Sequence, residues 1–273
     1  MKKALALALV ALPVSVFAAT PDAPHHIDVT KLPDQARLID NVVVPVPSEI
    51  FGVLDKLGLR PGDWVAVQRP ISGVIHPTGE QPQIALLLGT VIAEGFVAVE
   101  ARDSAQVKQV GKSVLSLSTA LDVNDAIKPR ALAITQAADK KDWAKVREEL
   151  DHALEDVKKA MIRLNSESLS QLVSLGGWIR GTEALTAVVG NNYTKDGAEL
   201  LHQPVLLEYF KTRLDGLKPK EKSNPVVTRV QNGVRDIRPL IGLADGVDVS
   251  EKSVREINGI TSDLVKSINS KVP

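Results

Sequence analysis

The chain has 273 residues, 33 Lys and Arg against 33 Asp and Glu, no cysteine and only nine aromatic residues. The missing cysteine excludes disulfides, thiolate zinc sites, iron–sulfur clusters and a cysteine nucleophile. Balanced charge argues against nucleic acid as a partner, which needs clustered Lys and Arg, and the few aromatics argue against stacking platforms. Apolar residues at 44% and charged residues at 24% describe an ordinary globular chain.

The N-terminus reads as a secretory signal peptide over residues 1–18. Lys2 and Lys3 precede an apolar run from Ala4 to Val16, and small residues follow Phe17. Cleavage after Ala18 places Val16 and Ala18 at the two positions that favour small or aliphatic side chains. The run is shorter than the roughly 20 residues of a membrane span. Losing Lys2 and Lys3 lowers the positive count from 33 to 31, so the mature chain carries a net −2. The expected location is periplasmic or secreted.

Residues 19–82 form a Pro-rich segment. A short helix is expected near Asp34–Asp40, a second from Ser48 to Gly58, and an extended piece at Trp64–Val67. From residue 83 to 273 the pattern is a helical bundle. Ile84–Arg102 is apolar on nearly every side, which predicts a central helix surrounded by others. Its apolar core is short for a bilayer and contains Glu94, so no transmembrane span is expected in the mature chain. Ser104, Asn124 or Asp125, Asp142, Ser166, Thr194 or Lys195, Asn224-Pro225 and Ser250 mark successive helix starts. The helix opened by Thr194 or Lys195 is expected to contain Pro204. The fold class is all-α, a bundle of about 7–9 helices around the central helix. No repeat at a solenoid period emerges, although paired helices keep that arrangement open.

Charge on apolar helix faces is the chief anomaly. Glu94 lies among Val91, Ile92, Phe96 and Val97. Arg180 and Glu183 share an apolar face with Leu172, Gly176 and Ile179 at about 100° per residue. Buried charges are costly unless paired. Glu94 is therefore expected to meet Arg180 across a helix pair, with Glu183 as a second acceptor and with the Glu94 carboxyl acidified by the arginine. Gly89, Gly95, Gly177 and Gly181 are expected to admit close neighbours.

Two Glu-x-x-His motifs, Glu149–His152 and Glu199–His202, imitate the ligands of a carboxylate-bridged di-metal bundle, with Glu94 and Glu183 as the single carboxylates. The apolar stripe through Leu150 places Glu149 and His152 about 100° and 160° away, toward solvent, so no metal site is assigned. His202 sits among Leu200, Leu201, Val205 and Leu206, where Pro204 frees a backbone carbonyl. Phosphate-cradling loops, dinucleotide fingerprints and nucleophile elbows are missing.

Function reads as a non-enzymatic exported protein that binds a protein partner or small ligand, with oligomerisation possible and no cofactor. Glu94, Arg180, Glu183 and His202 are the candidate ligand-binding residues. The alternative is an exported enzyme, or a metal- or small-ligand-binding bundle, that uses the same buried Glu/Arg/His group.

Overall fold

The computed structural model describes residues 37–39, 42–44, 60–241 and 248–270. The expected signal peptide and the expected Ser48–Gly58 helix lie outside the described residues. Where a short helix was expected near Asp34–Asp40, the backbone instead forms strand β1 (Arg37–Ile39). It pairs antiparallel with β2 (Val42–Val44), Leu38 opposite Val43. The run Val42-Val43-Val44 is β-branched throughout and suits a strand better than a helix.

Residues at Trp64–Val67 are not extended either. Helix α1 (Pro61–Val65) opens with Pro61 at its first position, where a missing N–H costs nothing. Asp63 accepts the Arg60 N–H at 2.8 Å. Trp64 is buried against the bundle, and the burial of that indole fixes the local conformation. Residues 66–80 then run as a strap without regular structure to the central helix.

Helix α2 (Gln81–Glu100) buries every residue except Gln81. By length and composition it could cross a membrane, but it is enclosed by the rest of the protein. Four further helices follow in close succession: α3 (Ser104–Ala120), α4 (Asn124–Asp139), α5 (Trp143–Arg163) and α6 (Glu167–Asn191).

The four turns that join α2 through α6 are built alike. Arg102, Asp122, Lys141 and Asn165 each adopt positive φ, between 54° and 57°. The next residue, Asp103, Val123, Asp142 or Ser166, donates its N–H five residues back, to the carbonyl of Ala98, Ser118, Ala137 or Met161. Each αL residue donates three residues back. These are Schellman closures with a non-glycine αL residue. In each turn the residue after the αL position is also the N-cap of the next helix. Asp103 and Asp142 use their carboxylates there, accepting from Gln106 N at 3.0 Å and Lys145 N at 3.1 Å.

The single helix expected from Thr194 or Lys195 is two. Thr194 caps α7 (Lys195–Glu199), the chain breaks over residues 200–203, and Pro204 starts α8 (Pro204–Asp215). Proline excludes the helical hydrogen bond that would have joined them. The short α9 (Pro219–Lys222) leads to α10 (Pro225–Ile237), whose Asn224 cap accepts from Val226 N and Val227 N. A 3-10 turn follows at Arg238–Leu240, and Ser250 caps α11 (Glu251–Asn269).

Among the described residues eight helices have seven residues or more, α2 at the centre and seven in the bundle around it, as the sequence predicts. On one side α2 closes a group with α3, α4 and α5, where Ile92, Val114, Ile127 and Leu150 meet. On the other side it packs along α6 and reaches α10 and α11. Helices α2 and α6 make the most extensive contact in the bundle. Glycine permits it: a Cβ on Gly89 would lie 2.0 Å from the Val173 carbonyl oxygen, and one on Gly176 would lie 2.1 Å from that of Leu86. A Cβ on Gly177 would lie 3.6 Å from the Gly89 carbonyl oxygen, an ordinary contact, and one on Gly181 would meet open space. The close contact therefore falls to Gly89 and Gly176, not to the Gly177–Gly181 pair.

Candidate functional site: a buried charge cluster closed by the strap

Glu94 projects from α2, and Arg180 and Glu183 from α6. The extensive helix contact brings them together at its centre. Arg180 is 1% exposed and Glu94 4%. The Arg180 Nε donates to Glu94 Oε2 at 2.8 Å, and Nη2 lies 2.7 Å from the same oxygen. Arg180 Nη1 lies 3.4 Å from Glu183 Oε2. The pairing expected from the sequence is therefore present, with Glu183 as the second acceptor.

The sequence reading missed Arg69. This strap residue donates its backbone N–H to Glu94 Oε1 at 2.9 Å. Its Nε donates to both Glu183 oxygens at 3.0 Å, its Nη2 donates to Glu183 Oε1, and that nitrogen also reaches Ser262 Oγ on α11 at 2.9 Å. A signal for it did exist. Two buried glutamates against one arginine leave one negative charge, so a second cation was required. Arg180 Nη2 also donates to the Val67 carbonyl at 2.8 Å, which ties the strap down a second time. The set is two cations and two carboxylates.

Burial raises the Glu94 carboxyl above the ordinary carboxylate range. Arg180 and the Arg69 N–H oppose that shift, and Glu183 adds to it. The acidification expected from the arginine is thus outweighed by desolvation. Arg69 is held further toward its charged form, chiefly by its hydrogen bond to Glu183.

His202 does not join this cluster. It lies in the break between α7 and α8, partly buried, with Nδ1 2.9 Å from the Ile241 carbonyl oxygen. Gln203 takes up the freed backbone group instead, donating to the Leu200 carbonyl at 2.7 Å and accepting from Trp178 Nε1 at 3.1 Å.

Glu149 does not face solvent: it is 5% exposed. Arg130 on α4 covers it, with Nη1 3.1 Å from Glu149 Oε2 and Nε 2.9 Å from Asp156 Oδ2. Lys145 Nζ lies 2.9 Å from Glu149 Oε1. Burial acts to raise this carboxyl, but Lys145 and Arg130 together hold it below the ordinary value. Glu148, Glu149 and His152 bring their ligand atoms within 4.8 Å of one another. A cation there would have to displace both Lys145 and Arg130. Glu94 and Glu183 are paired with Arg180 and Arg69, and Glu149 with Arg130 and Lys145 on another face of the bundle, so the imagined di-metal site is not assembled.

Chemically, the central cluster is spent on itself. Both Glu94 oxygens and both Glu183 oxygens accept from arginine donors. The sequence matches no family model, and neither a curated protein nor a solved structure matches it.

Proposed function

We propose that this chain is an exported helical protein, periplasmic or secreted, that acts by binding another protein rather than by catalysis. The observation that carries the reading is the closure of the Glu94/Arg180/Glu183 cluster by Arg69. The groups best suited to chemistry are engaged with one another, which leaves recognition to the helix faces and the strap. Under this reading the cluster sets the register of α2 against α6, and His202 steadies the α7–α8 break. Export rests on the basic start, apolar run and small-residue end of residues 1–18.

Native mass spectrometry tests both halves on the mature protein, purified gently from the cells that make it. The expected result is a chain beginning at Ala19 that carries a co-purifying polypeptide. A stoichiometric metal or small molecule with no polypeptide would favour the enzyme or small-ligand alternative. A chain still carrying residues 1–18 would overturn processed export.

A further inference from the structure

Helices α2, α3, α4 and α5 enclose a small space at the centre of their group. Ile92, Val114, Ile127, Ile134 and Leu150 face it, together with Gly111. All six are buried, and the lining is glycine and aliphatic throughout. The space has room for about one water-sized sphere.

Gly111 creates that room. It lies on the core face of α3 between Val107 and Val114. Its backbone is helical and its φ is not positive, so no turn demands glycine there. A Cβ at this position would meet no atom within 4 Å. The other buried glycines among the described residues are Gly89, Gly95, Gly176, Gly197 and Gly233, and each faces an atom 3.0 Å or less from its would-be Cβ. Those glycines admit a neighbour, whereas Gly111 leaves its space unfilled. Alanine at 111 would both fill space and favour the helix, so the sequence forgoes stability on two counts. Departures of that kind concentrate at functional sites.

The walls select the occupant by chemistry. Water gains no hydrogen bond from aliphatic side chains, and a polar or charged molecule would be desolvated without compensation. An apolar molecule loses nothing by entering, and the size of the space restricts it to a very small one. We propose that this cavity binds a dissolved apolar gas, the class to which dioxygen and xenon belong, and that Gly111 is the residue that makes room for it. Entry falls to α4. Pro129 leaves the Asp125 carbonyl without its helical donor, and the Val123 side chain caps nothing at the helix start. The helix that supplies Ile127 and Ile134 is therefore the wall best able to yield. This inference stands apart from the protein-binding reading, which concerns the outer faces of the molecule.

Xenon is the probe, applied at rising pressure to the full mature chain with isotope-labelled methyl groups and read by nuclear magnetic resonance. Methyl resonances of Val114, Ile127, Ile134 and Leu150 should shift along a saturating curve. Those of Val226 on α10 and Ile257 on α11 should not. Gly111→Ala should remain folded by circular dichroism, melt above wild type and lose the saturating shift. Ala131→Val fills the same space from the α4 wall and should lose it too, which keeps the test intact if either variant fails to fold. Xenon should raise the melting temperature of wild type by mass action and leave that of the filled variants unchanged. No shift at the cavity methyl groups, or an unsaturating drift shared by every methyl group, would overturn the proposal. So would a saturating shift that persists in a folded, filled variant.

Discussion

Arg180 is the most deeply buried charge of the cluster and bridges its two carboxylates. It donates to Glu94 and the Val67 carbonyl and lies within ion-pair distance of Glu183, all from a position 1% exposed. Arg180→Met should cost about 3–5 kcal/mol, because Glu94 loses its buried countercharge. Glu94→Leu alone strands Arg180 and should cost a similar amount. The double variant should be less damaged than the sum by about 0.5–3 kcal/mol, the range for residues in direct contact. Restoration stays partial because Val67 and Glu183 remain short of a donor. Urea unfolding of the four chains measures the coupling, and strictly additive losses would deny the pair its role. The pH dependence separates two carboxylates. Glu94 has a raised folded value, so its contribution is full below the unfolded carboxylate range and is lost as pH rises through the raised value. Glu149 has a lowered folded value, so its contribution is full above the unfolded range and is lost as pH falls through the folded value. Melting temperatures across an acid-to-neutral series should show Glu94→Gln gaining on wild type as pH rises. Glu149→Gln should gain as pH falls, and slopes of the same sign would contradict these assignments.

At the scale of elements, the α2–α6 crossing is set by two hydrogen atoms where other residues have a Cβ. Gly89→Ala and Gly176→Ala each place a methyl group about 2 Å from a backbone carbonyl oxygen. Backbone inside a packed helix has little room to retreat, so each should lose about 1–3 kcal/mol or more. Gly181→Ala is the control. It has nothing within 4 Å of its would-be Cβ and lies inside a helix, so it should gain roughly 0.5–1 kcal/mol from the lost flexibility of glycine. Thermal melts should move by about 2–4 °C per kcal/mol, downward for the first two and upward for the third. Equal effects at all three positions would refute the close approach. The crossing also marks how far the sequence was legible. Helix starts at Asp142, Thr194, Asn224 and Ser250 could be read because capping is local, made within three residues. The Glu94–Arg180 pairing could be read because burial demands a countercharge. The burial of Glu149 could not, since a helical wheel gives its angle from Leu150 but not that α4 lays Arg130 over that face. Trp64–Val67 misled for a related reason, as the helical turn there is fixed by burial of Trp64 against distant helices. The shared turn design at Arg102, Asp122, Lys141 and Asn165 also escaped notice. None of the four is glycine, and glycine is the usual marker of a left-handed helix end.

For the molecule as a whole, the central helix decides how the fold comes apart. Helix α2 contributes its whole surface to the core, one side to α3, α4 and α5 and the other to α6, α10 and α11. Neither group can bury its apolar faces without it. Melting one group would expose half of α2 to water while the other half stayed packed. At about 25 cal/mol per Å2 of apolar surface, that intermediate is strongly disfavoured. Helix α5 also touches α6 directly, so the groups are joined at a second place. Unfolding should therefore be a single cooperative transition despite a length at which separate domains are common. The tryptophans sit where this can be read, since Trp143 begins α5 in the first group and Trp178 lies in α6 of the second. Two variants, each with the other two tryptophans replaced by phenylalanine, should show fluorescence midpoints in urea that coincide with the loss of far-ultraviolet helical signal. An earlier midpoint for Trp143 than for Trp178 would mean that the α3–α5 side melts on its own, and that α2 belongs to the α6 side rather than to both.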